Sequence, residues 1–124
     1  MLVPSFEMNL PGAERAVVDV VKLRDYCLNP AHPRGRHKAR VFASALRLFR
    51  EDAEWLKAEL LNAALRGDAT EAEEDEYGRR YVLDVECQRN DTRVIIRSGW
   101  IVRRDEDFPR LTTCYVLSEE GRHG

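Results

Sequence analysis

The spacing of apolar residues changes character partway along the chain. From Gly35 onward Ala39, Phe42, Ala45, Leu46 and Phe49 recur at steps of three and four, the stripe of an amphipathic helix. A second helix is expected from Asp52 to Arg66, burying Leu56, Leu60, Ala63 and Ala64, with Trp55 and Leu61 at its edges. An acid near its start suits the helix dipole, and Gly67 suits its end. After Tyr77-Gly78 the period becomes two. Tyr81, Leu83, Val85 and Cys87 alternate with Val82, Asp84 and Glu86; Val94, Ile96, Ser98, Trp100 and Val102 alternate with Ile95, Arg97, Gly99, Ile101 and Arg103. A third strand is expected over about 111–117. Asn90-Asp91 predicts a two-residue hairpin turn that sets Tyr81 opposite Trp100, Leu83 opposite Ser98, Val85 opposite Ile96 and Asp84 opposite Arg97. A slip of one residue would scatter the apolar set, so the register is well specified. The Trp100 face belongs under the helices. Asp84, Arg97 and Thr112 belong to the less apolar face.

Upstream, residues 1–12, with Pro4, Pro11 and Gly12, read as an extended arm. Val17, Val18, Val20 and Val21 around Asp19 predict a short strand, followed by a helical turn from Leu23 to Leu28. Residues 68–76 read as an acidic loop, and 119–124 as a disordered tail. The expected architecture is one α+β domain over 13–118. Its short N-terminal strand and helices pack on one face of an antiparallel sheet, a three-stranded C-terminal meander.

Composition adds limits. The 124 residues are 44% hydrophobic and 34% charged, as in an ordinary soluble domain. No apolar run is long enough for a membrane span and no secretory signal is visible, so a cytoplasmic protein without a membrane partner is expected. Cys27, Cys87 and Cys114 lack CxxC spacing and read as reduced, buried thiols. The net charge of −2 gives no overall reason to bind nucleic acid. Its distribution is uneven. Residues 34–50 carry Arg34, Arg36, Lys38, Arg40, Arg47 and Arg50 with no acid before Glu51, whereas Asp68, Glu71, Glu73, Glu74, Asp75 and Glu76 follow one another with no base between them.

The cations gather where a turn-forming run, Asn29-Pro30, Pro33 and Gly35, feeds a helix. A helix N-terminus disfavours nearby cations by about 0.3–1 kcal/mol each. Such a cluster either spreads into solvent, pairs with the acidic segment, or holds an oxyanion between Lys38 or Arg36 and the backbone N–H groups. His37, in the first turn, is a group able to accept and give a proton. A structural role in the loop is the commoner fate of such a histidine. Cys27, His32 and His37 do not have zinc spacing and lie among cations, so no metal or other cofactor is expected. Asp84 or Glu86 with Arg97 offers a carboxylate base beside a phosphate clamp, or an ordinary cross-strand ion pair. Ser98 lies on the apolar face with no nucleophile elbow around it and reads as a buried, hydrogen-bonded serine.

Asn29-Pro30-x-His32-Pro33-x-Gly35-x-His37-Lys38-Ala39-x-Val41-Phe42, with Tyr77-Gly78, Tyr81, Trp100, Phe108-Pro109-Arg110-Leu111 and Cys114-Tyr115, resembles a family of small bacterial domains known as a domain of unknown function. The likeness spans most of residues 16–117 and implies no particular activity. At the level of architecture, a His-Lys pair at a helix start and a closing antiparallel sheet resemble the barnase, EndoU, colicin and RelE-like ribonuclease toxins. That likeness implies metal-independent RNA cleavage and a cognate immunity or antitoxin protein. On it, His37 is the acid or base, with Arg97 and Thr112 as further catalytic residues. Arg36, Lys38, Arg40, His32 and Tyr115 would bind RNA or another phosphate-bearing ligand. The alternative is a non-enzymatic interaction module of an operon-encoded pair, its basic edge meeting an acidic partner.

Overall fold

The structure, a computed structural model, describes residues 9–117. The expected tail and residues 1–8 of the expected arm lie outside the described residues. Leu10, near the end of that arm, is buried in the core.

Asp19 is where the chain departs from the expected short strand. Its carboxylate accepts from the Val21 N–H at 3.0 Å and caps helix α1, Val20–Lys22, which runs on into a π-helical turn at Leu23–Cys27. An N-capping aspartate offers the backbone a helical alternative that a valine-rich strand cannot outbid here. Only Val17 keeps strand character. Its N–H donates to the Pro109 carbonyl and its carbonyl accepts from Leu111, in a single parallel bridge.

Helix α2, Arg36–Leu46, buries Ala39, Phe42 and Leu46 as its spacing predicts. It ends before Phe49, because Arg47 turns into the left-handed region (φ 54°) and Leu48 takes the next core position. Phe49 is 46% exposed, so it leaves the stripe to which it was assigned. Helix α3, Ala53–Arg66, follows a short 3-10 turn and buries Leu56, Leu60, Ala63 and Ala64.

Four strands, β1 Ala69–Asp75, β2 Gly78–Arg89, β3 Thr92–Arg103 and β4 Pro109–Val116, form an antiparallel sheet in the order β1-β2-β3-β4. The acidic segment expected as a loop is therefore edge strand β1. Its sequence hides this because only Ala69 is buried and no alternation appears. Backbone pairing with β2 makes the strand, helped by Asp75, whose carboxylate accepts from the Tyr77 and Gly78 N–H groups in the connecting turn. The β2–β3 hairpin has the expected register. Both turn residues, Asn90 and Asp91, have positive φ, as a type I′ turn requires.

The helices cover one sheet face, with α2 over β3 and β4 and α3 over β2. Trp100, Leu83, Ile96 and Cys114 face them in one core with Phe42, Leu46, Leu56 and Leu60. Ser98 is fully buried there. Its hydroxyl donates to the Leu83 carbonyl at 2.7 Å and accepts from the Trp100 indole at 2.9 Å, so both polar groups are satisfied. Among the described residues no helix is long and apolar enough to cross a membrane.

Candidate functional site

Strand register lays the other, uncovered face out in transverse rows. One row is charged: Asp84 on β2, Arg97 on β3 and Tyr115 on β4 are direct cross-strand partners. The Arg97 guanidinium donates to both Asp84 carboxylate oxygens, at 2.9 and 3.0 Å. The Tyr115 hydroxyl also meets this guanidinium. Asp84 first, and Tyr115 after it, hold the Arg97 pKa above that of a free arginine. The next row is small: Thr70, Val82, Gly99 and Thr113. A shallow cavity of about 400 Å³ opens across the two, lined by Asp68, Thr70, Val82, Asp84 and Arg97.

At Gly99 the register with β4 shifts, and Thr112 is the extra residue of a bulge. A β-carbon on Gly99 would stand 3.0 Å from Thr112 Oγ1 and 3.3 Å from Thr113 Cγ2. The missing side chain is what lets both threonines lie against the uncovered face.

Lys38 reaches this face from the helix side. Its ammonium donates to Thr113 Oγ1 at 3.2 Å and lies 5.2 Å from the Tyr115 ring centre and 5.8 Å from that of Tyr26. The turn preceding α2 sets this direction. Asn29 ties it down by donating to the Asp25 carbonyl and accepting from Ala31. His32 Nδ1 accepts from the Arg34 and Gly35 N–H groups, and its ring meets Tyr26 edge-on at 4.8 Å. Gly35 cannot carry a side chain, because a β-carbon there would lie 2.2 Å from the Tyr26 carbonyl oxygen. The Asn-Pro-x-His-Pro-x-Gly run is thus a brace that aims Lys38 past β4. From the first turn of α2, Lys38 turns its ammonium to Thr113 on β4.

The site residues read from sequence divide into two groups. Lys38, Arg97, Tyr115 and Thr112 come together around Gly99. His32 is engaged within the turn. Arg36, His37 and Arg40 are exposed on α2 and touch none of that cluster; nor does exposed Arg34. Their charges do not pair with the acidic segment either, whose Asp75 and Glu74 bind Arg80 and Arg104 instead. Tyr26, Thr113 and Gly99 were missed in the sequence. The only signal for Gly99 was a glycine inside a strand pattern.

Other reactive groups are held apart from this face. Cys27, Cys87 and Cys114 are buried free thiols. Cys87 has its pKa pushed up to about 11 by burial and by Glu59, and Cys114 is raised by the neighbouring Cys27 thiol and by burial. Among the described residues no three His, Cys, Asp or Glu side chains are grouped to hold a metal ion.

Among solved structures, the fold resembles a chain of a contact-dependent growth inhibition toxin–immunity protein complex from Klebsiella pneumoniae 342. The likeness has a TM-score of 0.60 at 15% identity and covers 81% of this chain and 98% of that one. No curated protein sequence matches significantly. Residues 9–118 match a family model, and the chain therefore belongs to the family described as domain of unknown function DUF6883.

Proposed function

We propose that this domain binds single-stranded RNA across its uncovered sheet face and cleaves it as a toxin-type endoribonuclease. The observation that carries the reading is the meeting of Lys38, Thr113, Tyr115 and Arg97, which joins a helix residue to the charged row of the sheet. Two cations and two hydroxyls beside a shallow floor suit a phosphodiester with its sugar and base. The fold shared with a chain of a toxin–immunity complex supports a toxin-like or interaction module.

In this reading Lys38, which forms no ion pair among the described residues, carries the positive charge that meets the phosphate. Arg97, already paired with Asp84, donates its remaining N–H groups to it, and Tyr115 and Thr112 position the sugar. Asp84 takes the 2′-hydroxyl proton. The 2′-oxygen attacks phosphorus, the bond to the 5′-oxygen breaks, and that oxygen takes a proton from solvent, leaving a 2′,3′-cyclic phosphate and a 5′-hydroxyl. His37, exposed on α2 and apart from this cluster, takes no part in the step. Incubating the purified chain with a labelled single-stranded RNA and determining the product ends tests the proposal. Cyclic phosphate ends are expected, with a loss of at least about tenfold in rate in Lys38→Gln and Arg97→Gln and little change in His37→Ala. Intact RNA with the wild-type chain, or unaltered cleavage by the Lys38 and Arg97 variants, would overturn it.

A second reading has its own support. No Asp or Glu occurs from Tyr26 to Arg50, and Arg36 and Arg40 project from the solvent side of α2 with no carboxylate on them. Such a surface fits an acidic protein partner. Co-purification with a protein encoded beside it, lost in Arg36→Glu/Arg40→Glu, together with no RNA cleavage, would favour an interaction module.

A further inference from the structure

A second cavity, of about 180 Å³, lies along β4 from the site around Gly99. Val17 and Ile101 give it apolar walls, Lys22, Arg103 and Arg110 give it a cationic lining, and Thr112 borders it. Ile101 and Arg110 form the outer-face row that follows Gly99 and Thr113. Thr112, the bulged residue between those rows, therefore borders both places. Successive rows on one face are about 6.8 Å apart, the scale of one nucleotide in an extended strand.

The charges at this cavity are unequal. Arg110 is neutralised by Glu106, to which it donates two bonds at 2.9 Å. Asp19, also in the wall, has its carboxylate committed to the Val21 N–H. Among the described residues Lys22 and Arg103 form no ion pair, although Arg103 lies near enough to Glu106 to lower its pKa, and the three cations outnumber Asp19 and Glu106, so the lining keeps a net positive charge. Lys22 comes from α1 and Lys38 from α2, and both lie close enough to influence the buried Cys27–Cys114 pair beneath them. Lys22, which lines the cavity with Thr112, and Lys38, which donates to Thr113, thus stand at successive residues of the bulged stretch of β4.

We infer that the Lys22 cavity receives the nucleotide next to the one held at Lys38, so that the ligand is a single-stranded oligonucleotide lying along β4. A base would rest on Val17 above the buried Ile101, and its phosphate would face Lys22 and Arg103. This rests on the RNA reading above and goes beyond it by fixing a minimum length and a direction of travel. A ligand with a single phosphate would use the Lys38 site alone.

Binding separates the two ideas without requiring cleavage. The probe is a fluorescein-labelled 2′-O-methyl hexaribonucleotide, compared with the matching dinucleotide, titrated against the full chain at several salt concentrations. In Lys22→Gln, hexamer affinity should fall about threefold to tenfold and the slope of log affinity against log salt should shrink by about 0.7, one single-strand phosphate contact. Dinucleotide affinity should stay the same, and Lys22→Arg should restore the hexamer. Arg103→Gln, farther from the core, should act in the same direction if Lys22→Gln disturbs folding. Unchanged hexamer affinity and slope in both variants, with Lys38→Gln still weakening binding, would overturn this inference and leave the RNA reading standing. A wild-type chain that does not bind the hexamer would overturn both.

Discussion

The ammonium of Lys38 donates to Thr113 Oγ1 across 3.2 Å, linking the first turn of α2 to the edge strand β4. The same group faces the Tyr115 ring, whose hydroxyl meets Arg97. One side chain therefore connects a turn motif to a row of the sheet far from it in sequence.

Tyr115 carries two separable interactions. Tyr115→Phe keeps the ring beneath Lys38 and removes the hydroxyl from Arg97; Tyr115→Ala removes both. A cation–π contact of this kind is worth about 0.5–1 kcal/mol. Urea denaturation should show Tyr115→Phe within about 0.5 kcal/mol of wild type, and Tyr115→Ala destabilised by at least about 1 kcal/mol. Both should reduce RNA cleavage. Equal stability of the two variants would show that the ring contact contributes nothing.

Gly99 and Gly78 should respond differently to alanine. A β-carbon at Gly99 meets only the side chains of Thr112 and Thr113, which can give way, so Gly99→Ala should shift stability by less than about 1 kcal/mol. Its effect should fall on RNA binding. At Gly78, where φ is +150°, the β-carbon would lie 2.1 Å from the Val102 carbonyl oxygen, so the backbone itself must move. Gly78→Ala should cost about 2–4 kcal/mol, measured from the denaturation midpoint.

Asp84 and Arg97 have side chains 37% and 39% exposed, so their bidentate pair contributes little to stability, about 0.2–1 kcal/mol. Asp84→Asn should fold normally. It should bind RNA at least as tightly, since a negative charge is removed from the face, and should cleave it more slowly. Cleavage at the wild-type rate would remove Asp84 from the role of base.

Asp75 is held below the usual carboxylate range, first by Arg80 and then by the Tyr77 N–H; Glu106 is held down by Arg110, and Asp107 by Arg15. A lowered folded-state pKa means that the unfolded chain takes up protons first on acidification. The stabilisation is complete above the unfolded value, near pH 4, and is lost as pH falls through the folded one. The melting temperature should be nearly flat from about pH 5 to 7 and decline below about pH 4. Asp75→Asn should decline less steeply.

Much of the framework was legible because it depends on local periodicity. The α2 and α3 stripes, the Asn90-Asp91 turn and the pairing of Asp84 with Arg97 could be read directly, since turn chemistry and a buried face together admit one register. Strand β1 could not, because an exposed edge strand has no apolar alternation and its partner lies elsewhere in the chain. The valines at 17–21 misled because Asp19 caps a helix there.

The cationic helix start was visible in the sequence, and so was an unusual Asn-Pro-x-His-Pro-x-Gly run before it. Sequence alone determined which residues could carry charge and that β2 and β3 would pair about the Asn90-Asp91 turn. It could not say that His32 and Gly35 would brace the turn, that Arg36 and Arg40 would face away, or that Lys38 would turn toward Thr113. Those directions depend on how α2 crosses β4 and on a bulge opposite Gly99, both set by packing between segments distant in the chain. Tertiary structure therefore decided which of the many cations share a surface with Arg97.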